Sequence, residues 1–128
     1  GRSPGSACAA ALAATLPEPP AGFIFESGFS AIGGFALRRG LSPALVTEAD
    51  INVIGPLKKL AHSQAPILVL HGERDTLIPA TEGRAAYEAA GAKDKRLVMV
   101  PGRGHNDLSL HPVYWEAMSD FVRLVTGI

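Results

Sequence analysis

The first residues, Gly1-Arg2-Ser3-Pro4-Gly5, have the form Gly-x-Ser-x-Gly. Two more residues with chemical potential follow apolar runs, Asp75 in "HGERDTLIP" and His105 in "PGRGHND". The chain order is therefore Ser, Asp, His. A serine hydroxyl is a weak nucleophile at neutral pH and needs a base in contact to take its proton. Histidine suits that task because its unperturbed pKa lies close to the working pH. A carboxylate on the far imidazole nitrogen fixes the tautomer and stabilises the imidazolium. Together the three types suit attack on an acyl carbonyl. Each also has a plainer reading on its own. Ser3 can cap the helix that follows, while Asp75 can hold a turn and His105 a glycine-flanked loop.

Pro4 works against the catalytic reading. The residue after such a nucleophile normally gives its backbone N–H to the developing oxyanion, and proline has none. Loss of one such donor costs about 2.7–4 kcal/mol of transition-state stabilisation. Proline also restricts the residue before it, so Ser3 is expected to resist a strained turn. For the fold, proline in a first helical turn is well tolerated.

The elements that must position these residues alternate in type. Ser6 to Leu16 reads as a helix, ended by "PEPP". "AGFIFE" reads as a short buried strand over 21–26, and "APILVLHG" as the clearest strand of the chain. A helix over Thr81–Ala90 stops at Gly91, and "KRLVMVPG" is a third apolar strand. From Pro112 a final helix sets Trp115, Met118, Val122 and Val125 on one face. Strands apolar on both sides and alternating with helices imply an α/β fold with a covered parallel sheet. In such sheets, ligands and catalytic groups gather beyond the carboxyl ends of the strands. Residues 31–65 are mixed, broken by Gly33-Gly34, Gly40 and Pro43, and read as a small cap-like insertion.

The remaining polar residues read more plainly. His71 ends a strand and is expected to be structural; His62 and His111 are expected on the surface. Glu26 reads as a supporting group rather than a catalytic acid. Trp115 and Met118 are expected in the core, and Cys8 against the sheet. Twelve basic and twelve acidic residues cancel to zero formal charge, and without a basic stripe nothing supports a nucleic-acid partner. The single cysteine forms no internal disulfide, no metal-ligand spacing is visible, and a reducing, cytoplasmic location fits. No apolar run reaches the ~18 residues of a membrane span. "ACAAALAATL" after Arg2 is superficially like a signal sequence, but alanine replaces leucine, and glycine and proline fill the front.

The segments "GRSPGS", "ESGFS", "PILVLHGERDTLIP" and "GRGHN", in that order, resemble the α/β-hydrolases. Within them they are most similar to the Bem46-like branch, serine hydrolases related to prolyl-oligopeptidase-type peptidases. The resemblance spans essentially all 128 residues. It implies the C-terminal part of an α/β-hydrolase fold, one domain over 1–128 that begins at the nucleophile elbow, with the N-terminal strands missing. One of those strands would pair with 21–26, and an upstream loop would supply the second oxyanion amide. Matched to the family, Ser3 is the nucleophile, Asp75 the acid and His105 the base, with no metal or organic cofactor. The expected function is a serine hydrolase that cleaves an ester, thioester or amide of a small acyl substrate through an acyl-enzyme. Pro4 favours an alternative, a non-catalytic homologue that uses the same pocket to bind a small molecule. These 128 residues alone are expected to be inactive.

Overall fold

The computed structural model describes residues 1–128, the Pro43 side chain excepted. Three strands, β1 (Phe23–Glu26), β2 (Ile67–Gly72) and β3 (Lys95–Val100), form a parallel sheet in the order β1-β2-β3. Phe23 faces Ile67 across the first pair, and Ile67 faces Lys95 across the second. The helices are α1 (Gly5–Thr15), α2 (Ile32–Arg38), α3 (Glu48–Ile54), α4 (Leu57–His62), α5 (Ala80–Ala89) and α6 (Pro112–Thr126). Short 3₁₀ turns lie at Pro43–Leu45 and Leu108–Leu110.

The strand β2 explains the layering. Alternate side chains of a strand point to opposite faces, and all six residues of β2 are buried. Ile67 and Val69 pack with Phe25, Ala10 of α1, Leu60 of α4 and Ala86 of α5. Leu68 and Leu70 pack on the other side with Val100, Leu108 and Phe121 of α6. A strand covered on both faces has no place for the polar half of an alternating pattern, hence the unbroken "ILVL". Within 31–65, Leu60 is 1% exposed and joins this core, so α4 belongs to the helix layer. A third cluster of Ala7, Phe29 and Ile78 joins α1 to the loops after β1 and β2.

Two expectations about packing are corrected. The buried stripe of α6 runs through Tyr114, Ala117, Met118, Phe121 and Val125. Trp115 is 59% exposed and Val122 48%, so the stripe is rotated from the expected one although Met118 and Val125 are shared. Trp115 lies edge-on to Tyr114, and its indole N–H donates to the Ser109 carbonyl at 2.9 Å, which settles it on the outside. Cys8 is exposed, because α1 turns Ser6, Ala7 and Ala10 inward. Among the described residues, no helix is long and apolar enough to cross a membrane.

Candidate active site

All three singled-out residues lie beyond the carboxyl ends of the strands, as a parallel α/β sheet favours. Gly1 to Ser3 run beside β1: the Glu26 N–H donates to the Gly1 carbonyl at 3.0 Å, and Ser3 N–H to the Glu26 carbonyl at 2.9 Å. Arg2 forms a parallel bridge with Glu26. The chain then turns sharply into α1, with Ser3 at φ 51°. Positive φ is unusual for a side-chain-bearing residue and costs roughly 1–3 kcal/mol unless its surroundings hold it. Here they do. The Ser3 carbonyl accepts from both the Ser6 N–H at 3.0 Å and the Ser6 hydroxyl at 2.6 Å. Ser3 thus adopts the strained turn that Pro4 was expected to oppose. The clash from proline bears on the right-handed region of its predecessor, and Pro4 itself, at φ −59°, is the N-cap residue of α1. The Ser3 carbonyl, not its hydroxyl, serves the start of α1.

The Ser3 hydroxyl instead faces histidine. Ser3 Oγ lies 2.9 Å from His105 Nε2, and His105 Nδ1 lies 2.8 Å from Asp75 Oδ2. A carboxylate only accepts, so Nδ1 carries the proton and Nε2 is free to accept from the serine hydroxyl. The other oxygen, Asp75 Oδ1, accepts from the backbone N–H groups of Leu77 at 2.9 Å and Ile78 at 2.8 Å. The Asp75 side chain has no exposure, and that of His105 is nearly buried.

His71 stands behind Asp75 and is wholly buried. Its Nε2 donates to the Ile78 carbonyl at 2.7 Å and lies 3.3 Å from Asp75 Oδ2. A carbonyl cannot donate, so Nε2 holds the proton and Nδ1 is left bare, buried and without a partner. A Cβ at Gly83 of α5 would meet that nitrogen at 2.6 Å, so glycine lets the helix close over the ring. Gly72 allows a similar approach: its Cβ would come within van der Waals radii of the Arg103 and Gly104 carbonyls, on the loop that carries His105.

Ser27 and Glu82 contribute as well, and neither carries a local sequence signal. Ser27, buried at φ 49°, directs its hydroxyl to the His105 carbonyl at 3.4 Å. Glu82 of α5 accepts from the Ser30 N–H at 2.7 Å and from the Ser30 hydroxyl, and pairs with Arg38 of α2 at 3.1 Å. Burial pushes the Glu82 carboxyl up, but the Ser30 hydrogen bonds and the Arg38 guanidinium outweigh it and hold the group below its ordinary range. Glu26 accepts from the Tyr114 hydroxyl at 2.7 Å and pairs with Arg2, behind the site rather than in it. His62 is exposed, while the His111 ring accepts from Val113 N–H and caps α6, a role its spacing did not suggest.

An apolar hollow of about 370 Å³ opens between α2 and the α3–α4 region, lined by Ala31, Ile32, Ile51, Gly55 and Leu57, with Lys58 also on its wall. Ser30 also lines it, three residues from Ser27 at the His105 loop. The backbone N–H of Gly5, the first after Pro4, is taken by the Arg2 carbonyl at 2.9 Å. Neither residue 4 nor residue 5 therefore offers a free amide beside Ser3.

A parallel sheet with helices on both faces and a serine on a sharp turn beyond its edge define the α/β-hydrolase class. Residues 37–109 match the family described as serine aminopeptidase, S33, and the chain belongs to that family. An uncharacterised protein of Mycobacterium tuberculosis is 34% identical over 111 residues, covering 86% of this chain and 38% of that protein. The α/β hydrolase domain-containing protein aho-3 of Caenorhabditis elegans is 32% identical over 80 residues, 62% of this chain and 24% of its own length. This chain thus spans well under half of either relative. Among solved structures, Est1E from Butyrivibrio proteoclasticus superposes with a TM-score of 0.71 at 19% identity, over 98% of this chain and 60% of that one. The Pyrococcus furiosus esterase PF2001 gives 0.72 at 17% identity, over 96% and 52%. At such identities the likeness is one of fold.

Proposed function

We propose that the protein is a serine hydrolase that cleaves an ester, thioester or amide of a small acyl substrate. Ser3 Oγ attacks the carbonyl carbon as its proton passes to His105 Nε2. The tetrahedral intermediate collapses when His105 gives that proton to the leaving group, which leaves an acyl-serine. Water, deprotonated by the same nitrogen, attacks the ester and frees the acid and Ser3. Asp75 holds His105 in the Nδ1–H tautomer and stabilises the imidazolium in both halves. The single observation that carries this reading is the unbroken relay of 2.9 and 2.8 Å from Ser3 through His105 to Asp75. Its four motif segments support a place in the Bem46-like branch, and α2 and α3 with the hollow beside them serve as the small cap. A cytoplasmic location goes with the single unpaired cysteine.

One observation favours a second reading, a hydrolase-like binding module. The amide position after Ser3 is proline, and the next N–H is already used. One experiment separates the two. The full-length protein is treated with a fluorophosphonate, and turnover of a p-nitrophenyl ester is followed alongside. The hydrolase reading expects a covalent adduct on Ser3 and loss of both label and turnover in Ser3→Ala. A folded wild-type protein that neither labels nor hydrolyses the ester leaves the binding module standing.

A further inference from the structure

One side chain outside the three-residue relay touches both the loop of the base and the strand that roots the nucleophile. Arg2 immediately precedes Ser3, and its guanidinium reaches three acceptors. Nε pairs with Glu26 Oε2 at 2.9 Å. Nη2 donates to Asn106 Oδ1 at 2.7 Å and to the His105 backbone carbonyl at 3.2 Å. Glu26 ends β1 and is gripped from α6 by the Tyr114 hydroxyl at 2.7 Å. Burial, with that hydrogen bond, pushes the Tyr114 phenol up to about 12, so it remains a donor across the working range. The Arg2 side chain is therefore rooted on the sheet through Glu26 and bonded at its other end to the histidine loop.

We propose that Arg2 is a positioning residue that clamps the His105 loop to the nucleophile turn, keeping Nε2 within reach of Ser3 Oγ. The proposal deepens the hydrolase reading and rests on it for its catalytic consequence. Ser3 and His105 are 102 residues apart in the chain and sit on separate loops. Their alignment needs a cross-link, because a misplacement of about 1 Å can cost ~10² in rate. The ties found in the histidine loop itself do not reach the turn: Gly104 N–H, for instance, donates to Asp107 Oδ1 at 2.7 Å. Ser27 adds a long bond of 3.4 Å to the His105 carbonyl. Arg2 supplies the shorter ones. Guanidinium chemistry fits the task, since a rigid fork of five N–H donors can serve a carboxylate and two oxygens of a loop at once. Lysine, a point charge on a flexible stem, holds one such geometry poorly. An ion pair with a half-exposed partner adds little to stability, so alignment can be lost without unfolding.

The test compares wild type, Arg2→Met, Arg2→Lys and Asn106→Ala in the full-length protein. Readouts are kcat and KM for a p-nitrophenyl ester, thermal midpoint, and the low-field NMR resonance of the His105 Nδ1 proton. That resonance reports the order of the loop without any turnover. Arg2→Met is expected to lower kcat roughly 10- to 10²-fold, with KM within about twofold, to broaden the resonance, and to leave the midpoint near wild type. Arg2→Lys falls between. Asn106→Ala keeps the Glu26 pair yet reproduces most of the loss, and the double variant is sub-additive. A sharp resonance and full kcat in Arg2→Met would overturn the clamp, as would a fall in kcat that only tracks the folded fraction. If the resonance broadens in Arg2→Met while even the wild type fails to hydrolyse the ester, the clamp stands and the hydrolase reading falls.

Discussion

Pro4 sets two effects against each other at the level of a single residue. It suits the backbone, since its φ of −59° fits the start of α1. On the proposed hydrolase reading it removes a donor at the position where acyl transfer most needs one, worth about 2.7–4 kcal/mol in the transition state. The second effect is much the larger for catalysis, while the first is felt only in folding. Pro4→Leu in the full-length protein is accordingly expected to raise kcat by about 10²-fold, with a stability change of roughly 1 kcal/mol or less. Equal kcat in the two proteins would mean that other groups hold the oxyanion. At this scale Ser3, Asp75 and His105 were legible because each stands where an apolar run or a glycine pair breaks. Arg2 and Ser27 were not. Their partners lie tens of residues away or depend on a φ of 49° at Ser27, which spacing does not encode.

Elements were legible in proportion to how strongly burial constrained them. The strand β2 is covered on both faces and reads as an unbroken apolar run. In α6, by contrast, two apolar stripes compete in the sequence, and the choice falls to Phe121 and Tyr114, which reach the sheet and Glu26. The short pieces between 31 and 65 were the least legible, and what ties α2 down comes from far along the chain. Glu82 of α5 holds both Arg38 and Ser30, and this link has a pH signature. The Glu82 carboxyl, whose ordinary value is 4.5, is depressed in the folded protein. The unfolded chain therefore binds more protons in that range, so stability rises with pH there. The contribution is fully present above the unfolded value and is lost as pH falls through the folded one. Glu82→Gln is expected to lower the thermal midpoint near neutral pH, and the gap from wild type should close as pH drops below about 4. Paired melts across that range check this, and a gap independent of pH would mean that the carboxylate charge is not what holds α2.

For the whole molecule, charge and apolar exposure act together. The formal net charge is zero at pH 7, and the isoelectric point lies at about 7.1. Near that pH, electrostatic repulsion between copies is weakest. Large apolar side chains are meanwhile open on α2, the 3₁₀ turn after it, and α3: Leu45 is 70% exposed and Val53 72%, with Leu37 and Leu41 also outside. Apolar exposure drives association in proportion to area, and nothing but net charge opposes it at long range. Solubility is therefore expected to pass through a minimum near neutral pH. It should rise on either side of that pH as the net charge grows in magnitude. Added salt should deepen association away from the minimum, where it screens repulsion, and matter less at it. Static light scattering of the chain across roughly pH 5 to 9 measures this directly. Replacing both Leu45 and Val53 with lysine adds two positive charges and removes apolar area. The variant is expected to move the minimum to higher pH and make it shallower. A minimum that shifts without becoming shallower would assign the association to charge alone and clear the α2–α3 surface of any part in it.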